Sequence, residues 1–149
     1  MKKFFLVMVA VLCVSAAAIA QPRAVGLRGG YGIEATYQHT LGDKFVQADL
    51  GLSVGGLNIA GTYNWMIAQP KWTSKGEWGF YAGPGASLGF GVTNTVHIAA
   101  AGMVGLEYTF WFPLQLSIDI RPQLGVDFGH GVGFHATGFW PAVSARYRF

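Results

Sequence analysis

The sequence predicts an all-β protein: an eight-stranded antiparallel up-and-down transmembrane β-barrel that follows an N-terminal signal peptide. Three observations carry this expectation. Apolar and small or polar residues alternate with period two along most of the chain, as they must where successive side chains of a strand face opposite sides of a sheet. The 149 residues include 22 glycines and 15% aromatics, a pairing that suits strands better than helices, where a glycine costs about 1 kcal/mol. The chain is also 52% hydrophobic and only 11% charged, with mean hydropathy +0.36, which is too apolar for an average soluble domain.

The one long uninterrupted apolar run is Phe4 to Ala20, preceded by Met1-Lys2-Lys3 and closed by Ala18-Ile19-Ala20. This is the charged n-region, apolar h-region and small-residue cleavage site of a secretory signal. Residues 1–20 are therefore expected to be removed and 21–149 to form the barrel. A membrane anchor is the weaker reading, because the run is short for a span and no stop-transfer flank follows. Taking 20 residues from 149 leaves 129 and removes Cys13, the single cysteine, so no disulfide or thiol chemistry is expected. Leu12 is too bulky for the residue that precedes a lipid-modified cysteine. Without Lys2 and Lys3 the 10 basic residues fall to 8 against 7 acidic ones, which gives no support to a nucleic-acid partner.

The strands follow in order. Pro22 to Gly29 is short, with Val25 and Leu27 on one side and Gly26 and Arg28 on the other; Tyr31 to Thr40 comes next. Phe45 to Val54 sets Val46, Ala48, Leu50 and Leu52 against Gln47, Asp49, Gly51 and Ser53. Leu57 to Ile67 opposes Ile59, Tyr63 and Trp65 to Asn58, Thr62 and Asn64. Trp78 to Phe90 opposes large residues to glycines, with Tyr81 the one large member of the small side, and Val96 to Phe110 opposes Ile98, Val104 and Leu106 to His97, Met103 and Glu107. In Leu114 to Val126 the alternation is cleanest, broken by Pro122, which cannot donate to a ladder and predicts a bulge or local break. The last strand sets Phe139, Pro141, Val143, Ala145, Tyr147 and Phe149 against Trp140, Ala142, Ser144, Arg146 and Arg148. Seven segments are plain. An even number is needed if both ends of the chain lie on one side of the membrane, which makes Pro22 to Gly29 the eighth, a seven-stranded count being the alternative.

A final aromatic strand ending Tyr147-Arg148-Phe149 resembles the C-terminal signature of bacterial outer-membrane barrels. The stretches Tyr31-Gly-Ile-Glu-Ala-Thr-Tyr-Gln-His and Pro113-Leu-Gln-Leu-Ser-Ile-Asp-Ile-Arg-Pro are similar to a family of small Bacteroidetes-type porin-like barrels, with the architecture of OmpA-type and OmpX-type transmembrane domains. The resemblance implies a Gram-negative cell outer membrane as the location, with Tyr147 and Phe149 as the assembly signal. It also implies outer-membrane lipid as surroundings, the barrel assembly machinery as a partner during insertion, and a monomer. Both chain ends would then be periplasmic, with Gly29-Gly30, Gly55-Gly56, Val92 to Thr95 and a long loop at Asp127 to Gly138 extracellular. The outward aromatics, among them Tyr37, Tyr63, Trp65, Trp78, Tyr108 and Tyr147, fall at the periplasmic ends like an interfacial girdle.

The polar phase of each strand places Arg28, Glu34, Asp49, Glu107, Asp119, Arg121, Arg146 and Arg148 in the lumen, four positive against four negative. An eight-stranded barrel is just wide enough for side chains to fill, so these residues are expected to form a charge-paired plug. The expected function is structural or interaction-based and non-enzymatic, with no cofactor. A narrow porin-like channel is the alternative, kept open by a void that the glycines of Trp78 to Phe90 could leave. A lipid-modifying enzyme comes third: His135-Ala-Thr137 is similar to the His-x-Ser pair of lipid A deacylases, but threonine replaces serine and no acid follows in the last strand to orient the histidine. Asp127, His130 and His135 share the longest loop and could ligate a metal, without a spacing rule behind them.

Overall fold

Period-two segments this long become strands because each buries one face and exposes the other. The computed structural model describes residues 23–53 and 55–149, so the expected signal peptide and its cleavage site lie outside the described residues. The strands are β1 (Arg23–Gly29), β2 (Ile33–Leu41), β3 (Lys44–Ser53), β4 (Gly56–Ala68), β5 (Glu77–Gly91), β6 (Val96–Thr109), β7 (Leu114–Ile120), β8 (Gln123–Phe128), β9 (Val132–Thr137) and β10 (Pro141–Arg148). Consecutive strands from β1 to β6 pair antiparallel. The seventh wall strand runs along β6 in two pieces, β7 and β8. The eighth returns as β9 against β8 and β10 against β7, and β10 pairs with β1. The result is a closed eight-stranded up-and-down antiparallel barrel, and the short segment at β1 is a full member of it.

One end carries the start of β1, the end of β10 and the two-residue turn between β2 and β3; the other carries the turns after β1, β3 and β5. The segment expected as a long loop at Asp127 to Gly138 is instead a hairpin of β8 and β9 with its tip at 129–131. Polar loop residues can extend a barrel wall because each ladder bond satisfies a backbone group that would otherwise need water.

Two irregularities shape that end. Val104 pairs with Ile120 and Ala101 with Gln123, so three steps on one strand match three on the other, and Pro122 breaks the ladder without inserting a residue. Across the next seam, Ile120 pairs with Pro141 but Gln123 pairs with Thr137. Residues 138–140 therefore oppose only Arg121 and Pro122, which is a one-residue β-bulge. Gly138 adopts φ 79° at the bulge, and a Cβ there would overlap the Arg121 carbonyl oxygen. The bulge reverses the facing of the strand: odd-numbered residues point outward below it and inward above it. Trp140, expected to face inward, lines the open mouth cavity and is 72% exposed there.

The packing is inverted relative to a water-soluble domain. Among the described residues sixteen buried side chains are polar or charged, including Gln47, Asn64, Asp119 and Arg146, while eight are hydrophobic. Leu27, Leu50, Leu52, Ile98, Val104 and Ile118 lie exposed on the outer face. A small apolar cluster of Phe45, Tyr81 and Met103 sits inside, with Met66 against it. The glycines that were expected to leave a void are largely filled by neighbours. Met66 occupies the space over Gly79, and the His97 ring lies against Gly89.

Candidate functional site

The lumen is occupied at mid-height by a connected ionic layer. Arg28 donates from Nε and Nη2 to Asp119 Oδ1 at 3.0 and 2.5 Å, and from Nη1 to Glu34 Oε2 at 2.6 Å. Arg121 donates to Glu34 Oε1 and Asp49 Oδ2, each at 2.6 Å. Glu34 thus bridges two guanidiniums, that of Arg28, its direct partner on the neighbouring β1, and that of Arg121, which reaches it from the end of β7. It has room to do so because Gly51, its partner across the β2–β3 ladder, lacks the side chain that would collide with it. Tyr81 adds a hydroxyl at 3.5 Å from Asp119.

Arg146 forms the next layer with neutral partners only. It donates to Thr36, Ser117, Gln47 and Ser144 at 3.2, 2.8, 3.2 and 3.3 Å. Gln47 in turn donates to both oxygens of Asp49, at 3.1 and 2.9 Å. Arg146 is therefore tied to the ionic layer through one amide. Three arginines and three carboxylates form one hydrogen-bonded body of zero formal charge, which lowers the desolvation penalty that a buried charge excess would carry.

The full eight-residue pairing expected from the sequence is not what the barrel makes. Arg28, Glu34, Asp49, Asp119 and Arg121 are brought together; Arg146 joins through Gln47. Glu107 accepts from Gln115 at 2.7 Å instead of from an arginine. Arg148 lies half-buried at the end of β10, with no salt bridge among the described residues. Tyr147, half of the expected assembly signal, is 58% exposed on the outer face, and its ring stacks on Phe149 with centroids 6.4 Å apart.

Above the ionic layer the lumen opens into a cavity of about 630 Å³ at the mouth away from the chain ends, floored by Arg28, Glu34 and Arg121. Its wall carries a group that the sequence reading only half found. His97 on β6 and Asp127 on β8 are direct cross-strand partners, and His97 Nδ1 hydrogen-bonds Asp127 Oδ1. His135 on β9 pairs with Gly125, one diagonal step away, and its Nδ1 lies 2.7 Å from the same Asp127 oxygen. His130, proposed from the sequence as the third member, sits exposed in the hairpin tip, and His97, thirty residues from Asp127, takes its place. No one-dimensional signal marked His97, because its pairing to Asp127 depends on β8 continuing along β6 past Pro122.

The same placement revises the comparison with lipid A deacylases. An acid does stand against His135, supplied by the adjacent strand and not by the last one. Thr137 lines the same cavity, so the pair faces the inside of the barrel mouth and not its outer surface.

Fold and site define a class: a closed eight-stranded antiparallel barrel, apolar outside, with an ion-paired interior beneath an open mouth. No protein family, curated protein or solved structure matches this chain.

Proposed function

We propose that this protein is an integral outer-membrane barrel, monomeric and non-enzymatic, whose lumen is closed by its own side chains and whose role is structural or interaction-based. The observation that carries the reading is the neutral network of Arg28, Arg121, Arg146, Glu34, Asp49 and Asp119 across the lumen. A conducting pore needs charges that stay hydrated and mobile counter-ions between them. Here Arg28, Arg121 and Arg146 are each at least 94% buried, and their terminal nitrogens are held by fixed acceptors. The outer face supports membrane residence, because it exposes large apolar side chains from β1, β3, β6 and β7, among them Leu27, Leu50, Leu52, Ile98, Val104 and Ile118, whereas soluble monomers rarely expose large apolar patches. Aromatic pairs such as Tyr63–Trp65 and Trp78–Tyr108, with centroids 5.0 and 4.7 Å apart, band the end near the chain termini as interfacial girdles do.

A narrow channel is the second reading, and the mouth cavity favours it by bringing water to the top of the ionic layer. Planar-bilayer recording of the purified protein separates the two. Silent bilayers with verified insertion are expected. Steady conductance whose ion selectivity changes when Arg121 is neutralised would replace the plug with the channel.

A further inference from the structure

We propose that His97, Asp127 and His135 bind a divalent transition-metal ion of the zinc class at the mouth of the barrel, leaving coordination positions open to the cavity. One donor atom from each residue lies within 4.8 Å of the other two. A tetrahedral ion with bonds of about 2.0–2.1 Å holds its donors roughly 3.3 Å apart, so the three groups need only small outward rotations to seat it. Two imidazole nitrogens and one carboxylate oxygen form the donor set of zinc sites that keep a free position for water or substrate. Calcium and magnesium take oxygen ligands instead.

A second observation points to a missing group between the three side chains. Asp127 Oδ1 faces both imidazoles, yet only His97 is aligned to hydrogen-bond with it. His135 Nδ1 is 2.7 Å away from that oxygen but buried without any hydrogen bond. A buried polar atom without a partner carries a desolvation cost that a ligand would remove. An ion between the three residues satisfies both nitrogens and the carboxylate at once. The strands also leave room for it: a Cβ built on Gly133, the cross-strand partner of Asp127, would meet nothing within 4 Å. The two rings meet edge to face, with centroids 5.6 Å apart, so both present ring nitrogens to one point without stacking over each other.

The site stands independently of whether the barrel conducts. The test is calorimetric titration of tag-free, folded protein in detergent with Zn²⁺ alone, repeated with Ca²⁺, and Co²⁺ absorption as a spectroscopic readout. Saturable binding of one Zn²⁺ per chain is expected, without comparable Ca²⁺ binding, and with the visible bands of low-coordinate Co²⁺. His97→Ala and His135→Ala should each weaken Zn²⁺ binding by about 100-fold or more, since even outer partners of a metal ligand are worth 10–100-fold. His130→Ala should leave it unchanged. Asp127→Asn, nearly isosteric, covers the case in which a histidine variant does not fold, and should abolish the Co²⁺ bands while the folded barrel persists. Absence of saturable Zn²⁺ binding, equal binding of Ca²⁺, or Zn²⁺ binding that survives loss of either histidine would overturn the proposal.

Discussion

Arg121 shows how one side chain in this barrel serves two functions of the fold. It precedes Pro122, where the ladder to β6 breaks, and its guanidinium crosses the lumen to Glu34 and Asp49, 87 and 72 residues away. Because it is 4% exposed, truncating it leaves two carboxylates short of a partner in a confined site. Arg121→Ala should therefore destabilise the barrel by about 3–5 kcal/mol. Glu34→Gln in that background should restore part of the loss, whereas Glu107→Gln should not, because Glu107 bonds Gln115. Urea unfolding in detergent micelles across this double-mutant cycle checks the coupling. Strict additivity for Arg121 and Glu34 would show that the pair does not act as a unit.

At the scale of the element, the bulge between β9 and β10 decides what the mouth contains. Simple alternation back from Pro141 would aim His135 and Thr137 outward. The extra residue at 138–140 turns both into the cavity and sends Phe134, 88% exposed, to the outside. Only glycine suits Gly138, since φ 79° lies in the left-handed region and the Arg121 carbonyl occupies the space a Cβ needs. Gly138→Ala should cost about 1–3 kcal/mol, the usual range for a residue forced into such a conformation. Gly133→Ala, in open space with an ordinary backbone, should change stability by less than about 0.5 kcal/mol. Thermal unfolding of the two variants side by side tests the bulge. Equal effects would mean that Gly138 is not what holds the shifted register.

For the whole molecule, the inverted distribution of polarity governs behaviour. A barrel whose ladder closes on itself has no free edge to unzip, so it should resist detergent denaturation at low temperature and open only on heating. The expected outcome is a band that shifts on boiling in cold electrophoresis, recovered from the outer-membrane fraction. The alternation and the Ala18-Ile19-Ala20 site further lead to an intact mass that begins at Gln21. Recovery as a soluble periplasmic protein would remove the basis for the membrane reading. A mass that includes Met1 to Ala20 would refute the cleavage site alone.

Below the mouth, the wall strands and the side their residues face were legible in the sequence, because facing within an unbroken strand depends only on the local pleat. Val46 to Ser53, Leu114 to Arg121 and Val143 to Tyr147 alternate in the structure as they do on paper. The inward placement of Arg28, Glu34, Asp49, Asp119, Arg121 and Arg146 followed from the same rule. Which of them meet did not, since a contact between Arg121 and Asp49 is set by barrel closure and by the stagger of its eight ladders, none of which is encoded in either residue's neighbours. Gly138 is the sharpest case. A single extra residue leaves composition and local alternation almost untouched, yet it reverses the facing of β9 and places His135 beside Asp127 and His97. Period and parity are local and could be read in one dimension; partner choice across the lumen is a property of the closed barrel, and only the tertiary structure decided it.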